Sequence, residues 1–444
     1  MFINLVSIGI EINSFKKKSI MKVKNIKLLT LAAFVGLATL ISSCNKDLEQ
    51  FSDVVPTTPT GITLDKVLQG NSDDSLYYKS VVRGGQLAVL ADSSKSHTIF
   101  ATNNSGIKPV LSAIAAQVGV TLPVSAPDAV FAAFISQLPP QIAGSLVQAT
   151  IVPQALKSSD IDASAPNYIY PTILNPIPTI PNPTPLGAVV RIALYPSTRN
   201  GAWLNNVPLT AVDQSAYNGF IHHTATLVVP SQKYLWDRIS NDPELTFLKA
   251  AVNRADSGVL VTSDASLIGN LGKFGPDFTI FAPVDSVFKI FLVNALQAQG
   301  VPAVLAQGLV NNYGSTLLSD PGSIPVLGPT LAAALSPTTV KGLLVYHVIG
   351  KRLFTNNFPT TATNFPTLLN TAPGMGSVTG LKVSVGFTSP FPFATSVIVD
   401  DASPAPAAHV IINASPLLPD PIGTSDQTYL NGVLHKIDAV LSPM

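Results

Sequence analysis

A duplication constrains this chain more than any other feature of its sequence. Thr98-Ile99-Phe100-Ala101 returns as Thr279-Ile280-Phe281-Ala282, at an offset of 181 residues. Residues 146–152 (LVQATIV) line up with 343–349 (LLVYHVI) at an offset of 197. Asn218-Gly219-Phe220-Ile221-His222 lines up with Asn431-Gly432-Val433-Leu434-His435 at 213. Three matches in one order read as a single domain present twice. The offset rises by 16 at each step, so the second copy carries two insertions of that net size. A length of 444 residues holds two such units with a leader to spare.

Local patterns agree between the copies. Residues 278–282 form a short apolar run stopped by Pro283. Asp285 is expected to cap a helix with Phe288, Phe291, Leu292, Ala295 and Leu296 on its buried face, ended by Gly300. In the first copy Asn104 takes the capping place, Ile107, Val110, Leu111, Ile114 and Ala115 form the stripe, and Gly119 the stop. Asp242 is expected to cap a further helix with Pro243 at its first position and Leu245, Leu248 and Val252 inward. The β-branched segments 189–194, 382–387, 396–399 and 409–412 read as strands. Helices first and strands later, without βαβ alternation, predict an α+β fold. Residues 171–185 hold six prolines and read as an exposed loop.

Only 11% of the residues are charged, against about 25% in ordinary globular chains. Residues 1–43 hold six Lys and one Glu; the remaining 20 basic and 24 acidic groups give a net charge of −4. That leaves no basic footprint for nucleic acid. Cys44 is the only cysteine, so no intramolecular disulfide and no cysteine-based zinc site can form. Lys22, Lys24 and Lys27 precede a 14-residue apolar run at 28–41, too short for a membrane-spanning helix of about 20 residues but suited to an export signal. Met21 reads as the natural start of that signal. Ile41-Ser42-Ser43-Cys44 resembles the lipobox of bacterial lipoproteins, which implies cleavage before Cys44 and acylation of that residue. Residues 1–43 are thus expected to be removed and 44–56 to tether the protein to the outer membrane, facing the cell exterior.

The repeated motifs resemble those of the fasciclin-like domain family, whose members carry a Thr-Val-Phe-Ala-Pro strand, a Leu-Leu-x-Tyr-His-Val segment and a closing Asn-Gly-Val-x-His-x-Ile-Asp. Residues 232–444 fit well, through Thr279, Phe281 and Pro283, through Tyr346 and His347, and through Asn431, Gly432 and His435. Residues 57–231 are a degenerate copy. Thr102 replaces the proline, Ala149-Thr150 replaces Tyr-His, and His223-Thr224-Ala225 stands where the second copy has Lys436-Ile437-Asp438. The resemblance implies two tandem wedge-shaped β-sandwiches decorated with helices. It also implies adhesion without catalysis or cofactor, toward an extracellular protein or glycan.

The six histidines show no metal-ligand spacing, and no nucleophile elbow, P-loop or dinucleotide fingerprint occurs in a suitable context. His222 and His435 hold equivalent places, as expected of structural hydrogen bonding. Tyr346 and His347 are candidate binding residues through the family motif, or else tie a strand to the core. Trp203, among amides in residues 200–206, is the candidate for stacking on a sugar ring, or else packs on its own domain. Trp236 reads as helix core. Two functions stay open: a non-enzymatic surface adhesion module, and a glycan-capture lipoprotein of an uptake system. A hydrolase is the remaining alternative.

Overall fold

The structure is a computed structural model that describes residues 61–161, 170–175, 191–324, 333–388, 393–401, 403–415 and 423–443. The export segment, Cys44, the tether and residues 176–185 of the proline-rich insert lie outside the described residues. Residues 61–444 form one compact unit.

In the first copy, helices α1 (Leu64–Gly70), α2 (Ser75–Arg83) and α3 (Leu87–Ala91) lead into strand β1 (His97–Thr102). Helices α4 (Asn104–Gln117), α5 (Asp128–Gln137) and α6 (Pro140–Gln148) follow, then strands β2 (Ile151–Val152), β3 (Tyr170–Pro171), β4 (Ala193–Leu194), β5 (Pro196–Ser197), β6 (Trp203–Leu204), β7 (Val207–Ala216) and β8 (Gly219–Thr224). The second copy repeats the plan: α7 (Leu235–Asn241), α8 (Thr246–Ala255), α9 (Leu267–Leu271), β9 (Phe278–Pro283), α10 (Asp285–Ala298), α11 (Ala303–Tyr313), α12 (Thr316–Ser319) and α13 (Pro337–Tyr346). It closes with β10 (Val348–Ile349), β11 (Thr363–Phe365), β12 (Leu381–Phe387), β13 (Ala394–Asp400), β14 (Ala408–His409), β15 (Gln427–Tyr429) and β16 (Gly432–Ile437). The fold is α+β.

Each copy is built on one parallel pair. His97 sits opposite Gly219 and Phe278 opposite Gly432, so β1–β8 and β9–β16 share one register. The side-chain period of two sends alternate residues to opposite faces of the sheet. Ile280, Ala282 and Leu434 therefore enter a core with the helices, while Phe281 and Ile437 enter a second core with the β-strands. In the first copy Ile99 and Ala101 meet the helices, and Phe100 meets Val152, Leu204 and Val207. A strand buried on both faces reads as a continuous apolar run, which is why these tetrapeptides survived in both copies.

The copies differ in their second layer. In the second copy the sheet β10-β9-β16-β15 faces another of four strands, β11-β12-β13-β14, with Val383, Val385, Val397 and Val399 between them. In the first, the main sheet extends to β2-β1-β8-β7-β6-β5, and a separate pair, β3-β4, is the only other sheet among the described residues. Among the described residues, two opposed four-stranded sheets occur in residues 232–444, while the first copy shows a six-stranded sheet and a two-stranded one. The expected strand at 189–194 shortens to β4, its first two residues lying outside the described ones. That at 409–412 ends at His409, because Ile411 N–H turns to the Lys436 carbonyl.

Two capping expectations are also corrected. The Asp285 carboxylate does not cap α10, which it begins. It accepts from the Thr246 hydroxyl at 2.5 Å and from Phe247 N–H at 2.9 Å, at the start of α8. Asn104 does the same for α2, accepting from Leu76 N–H at 2.9 Å, while Asn103 caps α4 through Gly106 N–H. These side chains bind the next helix over, a tertiary contact that local spacing does not reveal. Asp242 follows α7 and turns the chain by accepting from Glu244 N–H, so α8 starts only at Thr246 and Pro243 precedes it. The buried faces read from spacing are observed: Leu245, Leu248, Val252, Phe288, Leu292 and Leu296 are buried. Gly119 and Gly300 follow α4 and α10 with φ of 76° and 86°, as helix-ending glycines do.

Candidate functional site

The motif residues converge on a polar lattice that occurs twice. The Thr279 hydroxyl donates to the Lys351 carbonyl at 2.6 Å and accepts from Leu353 N–H at 2.8 Å. The Thr98 hydroxyl donates to the Gln154 carbonyl and accepts from Leu156 N–H, each at 2.8 Å. One ring nitrogen of His435 meets the Leu353 carbonyl at 3.0 Å, and the other accepts from Asp426 N–H at 3.1 Å. His222 repeats this with Leu156 and Asp213, at 2.9 and 3.2 Å. Asp426 in turn accepts from the Thr355 N–H and hydroxyl, and Asp213 from those of Ser158. Both aspartates sit at positive φ, 57° and 61°. Sequence matching alone missed Asp213, Asp426, Ser158 and Thr355, although these pairs obey the offsets of 213 and 197.

Asn431 closes the lattice. Fully buried, it accepts from Leu235 N–H at the start of α7 and donates to the carbonyls of Asn270 and Leu271 at the end of α9. Asn218 does the same with Leu64, Leu90 and Asp92. Beside each asparagine a glycine lets strands approach. A Cβ on Gly432 would lie 2.3 Å from the Phe278 carbonyl oxygen, and one on Gly219 1.7 Å from that of His97.

Tyr346 and His347 are buried at the end of α13. The Tyr346 hydroxyl donates to the carbonyls of Thr379 and Asp401, and burial pushes its pKa up to about 12. His347 bonds the Leu343 carbonyl through Nδ1 and accepts from Leu441 N–H through Nε2, at 2.9 Å each. Neither side chain offers a contact surface. Their replacement in the first copy has a physical reason. Tyr346 belongs to the core under the second sheet, which has no four-stranded counterpart among the described residues of the first copy, and Thr150, in the place of His347, bonds Tyr77 there.

Burial lowers the His347 pKa to about 4, from an ordinary 6.5. The folded state thus resists a proton that the unfolded chain takes up below pH 6.5. Stability from this group is complete above that pH and falls as pH drops toward 4. At about 1.4 kcal/mol per unit, the loss is about 3 kcal/mol by pH 4. Burial shifts His222 and His435 in the same direction. Urea unfolding at pH 7 and pH 4.5 is expected to show the loss, and His347→Gln to make it shallower.

Near its end, the last strand of each copy sets a basic side chain against a buried carboxylate. Lys436 Nζ lies 2.8 Å from both the Asp242 and Glu244 carboxylates, and Arg238 also reaches Asp242 at 2.9 Å. Burial alone would raise the Asp242 pKa, but Lys436, the Glu244 N–H and Arg238 outweigh it and hold the carboxyl below its usual range. In the first copy His223 meets Asp74 at 2.9 Å. The apparent erosion from Lys to His thus keeps a basic group against a buried carboxylate.

Trp203 is placed otherwise than sugar stacking requires. It is 2% exposed, donates its indole N–H to the Asn200 carbonyl, and meets Phe393 edge to face at 5.7 Å. Phe393 belongs to the second copy, so Trp203 lies in a joint between copies. Asn200 donates across that joint to the carbonyls of Asn356 and Phe358, and Asn356 donates back to Asn205. Tyr195 packs on Phe354 and Val433 and donates to Asp277 at 2.8 Å. Trp203→Ala is expected to cost about 3 kcal/mol of stability by leaving a cavity. A sugar platform would instead lose affinity at unchanged stability, as glycan titration beside thermal unfolding would distinguish. Trp236 is half-buried and packs against the helical core.

Beside this joint lies a cleft of about 190 Å³ with Arg191 and Arg352 in its wall. Among the described residues no group of His, Cys, Asp and Glu is placed to hold a metal, and no single helix is long and apolar enough to cross a membrane. No family model matches the chain, and no curated protein matches it. Among solved structures, a FAS1 domain pair from the insect cell adhesion molecule fasciclin I is similar over 83% of this chain and 96% of its own, at 13% identity and a TM-score of 0.28. So distant a superposition carries no argument, and the α+β assignment rests on the sheets and helices described above.

Proposed function

We propose that this chain is a non-enzymatic module of the cell surface, held at the outer membrane by lipid on Cys44 and making contact with an extracellular protein. The observation that carries this reading is the engagement of the motif histidines, asparagines and threonines. Thr98 and Thr279, His222 and His435, and Asn218 and Asn431 hydrogen-bond backbone in the same way in the two copies, and His347 is likewise held by backbone, so the groups a catalytic reading would enlist are parts of the fold. Contact then falls to the surface. Residues 286–319 contain Lys289 as their only charge, and residues 129–156 contain none. Ile290, Val304 and Leu305 on α10 and α11 are 61%, 88% and 46% exposed, and Val130 and Ile142 stand out from α5 and α6. Exposed aliphatics amid so little charge suit a protein contact.

Glycan capture, the second reading, loses its stated support with Trp203 buried. The test is adhesion of cells carrying the protein. Cys44→Ser is expected to release it from the membrane fraction and abolish adhesion. Serine at Ile290, Val304 and Leu305 together is expected to abolish adhesion at unchanged unfolding temperature. Retention of the Cys44→Ser protein at the membrane, or hydrolysis of a screened substrate by the purified protein, would overturn the reading.

A further inference from the structure

The cleft between the copies holds an unbalanced charge. Two arginines, Arg191 and Arg352, and one aspartate, Asp277, are the charged residues lining its 190 Å³. Arg352 is engaged through Nε and one terminal nitrogen. Its Nε lies 2.7 Å from Asp277, a terminal nitrogen donates to the carbonyls of Tyr429 and Leu430, and its plane covers the Tyr195 ring at 4.7 Å. Arg191 is less engaged. It is half-buried, and among the described residues its guanidinium makes one hydrogen bond, a long one of 3.4 Å to the Ile173 carbonyl. Among the described residues no carboxylate lies within ion-pair distance of it. In a chain with 11% charged residues, a second cation drawn into a partly apolar cleft is costly without an anion to meet it.

From this geometry we infer that the cleft is a binding site for a compact organic monocarboxylate with an apolar body. The guanidinium fork of Arg191 presents paired N–H donors that match a carboxylate's two oxygens. The rest of the wall fits a hydrocarbon rather than a polyol: Ile192, Val228, Phe274 and Pro276 contribute apolar surface. The volume is below the 300 to 1,000 Å³ usual for drug-sized ligands, which limits the body to a single ring or a short chain. A monoanion is favoured over phosphate, because a second negative charge would face Asp277 and apolar walls. Both copies contribute, so the site exists only in the assembled pair. This goes beyond the adhesion reading and stands without it.

The experiment is calorimetric titration of the full chain with benzoate and hexanoate. Benzamide, hexanamide and inorganic phosphate serve as neutral and dianionic probes. The carboxylates are expected to bind at least about tenfold tighter than their amides and than phosphate, a difference of about 1.4 kcal/mol. Arg191→Gln is expected to remove that preference at unchanged unfolding temperature, and Arg191→Lys to retain part of it. The proposal is overturned by equal binding of acid and amide, by tighter binding of phosphate, by undiminished binding in Arg191→Gln, or by no carboxylate binding at millimolar concentration.

Discussion

Replacing Lys436 by methionine is expected to destabilise the protein by about 3 kcal/mol or more, the range found when one partner of a buried ion pair is removed. The side chains of Lys436 and Asp242 are 3% and 2% exposed, and Glu244, at 64%, contributes little. Without the lysine, Asp242 keeps Arg238 but loses the bond that most opposes its burial, so its pKa rises and the variant becomes more sensitive to acid. Adding Asp242→Asn to the methionine variant is expected to recover part of the loss, because the charge left unpaired disappears. Denaturant midpoints of the two single variants and the double variant supply the cycle. Additive losses would mean that the pair does not interact.

Asn431→Ala is expected to cost about 3 kcal/mol through three hydrogen bonds, two buried and one partly so, at about 1 kcal/mol each with more for the groups left unpaired. The bonds join the start of one helix to the end of another beneath the central strand, so their loss loosens α7 and α9 together. Asn431→Asp keeps the acceptor toward Leu235 N–H but turns an oxygen toward two carbonyls, and is expected to be no better. The matched variant Asn218→Ala, with bonds of 2.9, 2.9 and 3.0 Å, is expected to lose a similar amount. Unequal losses would separate the copies physically despite their common geometry.

Much of this lattice was legible in the sequence, and the legible part has a common cause. β1 and β9 are buried on both faces and β8 and β16 pair beside them, so almost any change there is felt and the tetrapeptides stay recognisable. The rest was hidden because it depends on tertiary pairing. Asp285 and Asn104 look like caps of the helices they begin but cap the neighbouring one. Asp213 and Asp426 stand in a matching Asp-Gln-Ser/Thr run five residues before each Asn-Gly, a signal present in the sequence whose meaning depends on the tertiary contact to Ser158 and Thr355. Trp203 lies in a turn-rich, amide-rich setting that suggests exposure, and nothing local shows that Phe393 of the other copy covers it. The first copy's degeneracy is in part replacement: His223 meets Asp74 where the second copy has Lys436 against Asp242, while Thr150 makes a different bond, to Tyr77.

The central claim is that the motif histidines are neutral, buried parts of the fold rather than reactive or contact groups. NMR titration of the histidine ring protons in the folded protein tests it most directly. The account predicts that His222 and His435 titrate below the ordinary 6.5, that His347 yields only near pH 4, and that none shifts when the adhesion partner binds. Protonation of any of the three near pH 6.5, or a shift in its ring signals on partner binding, would contradict it.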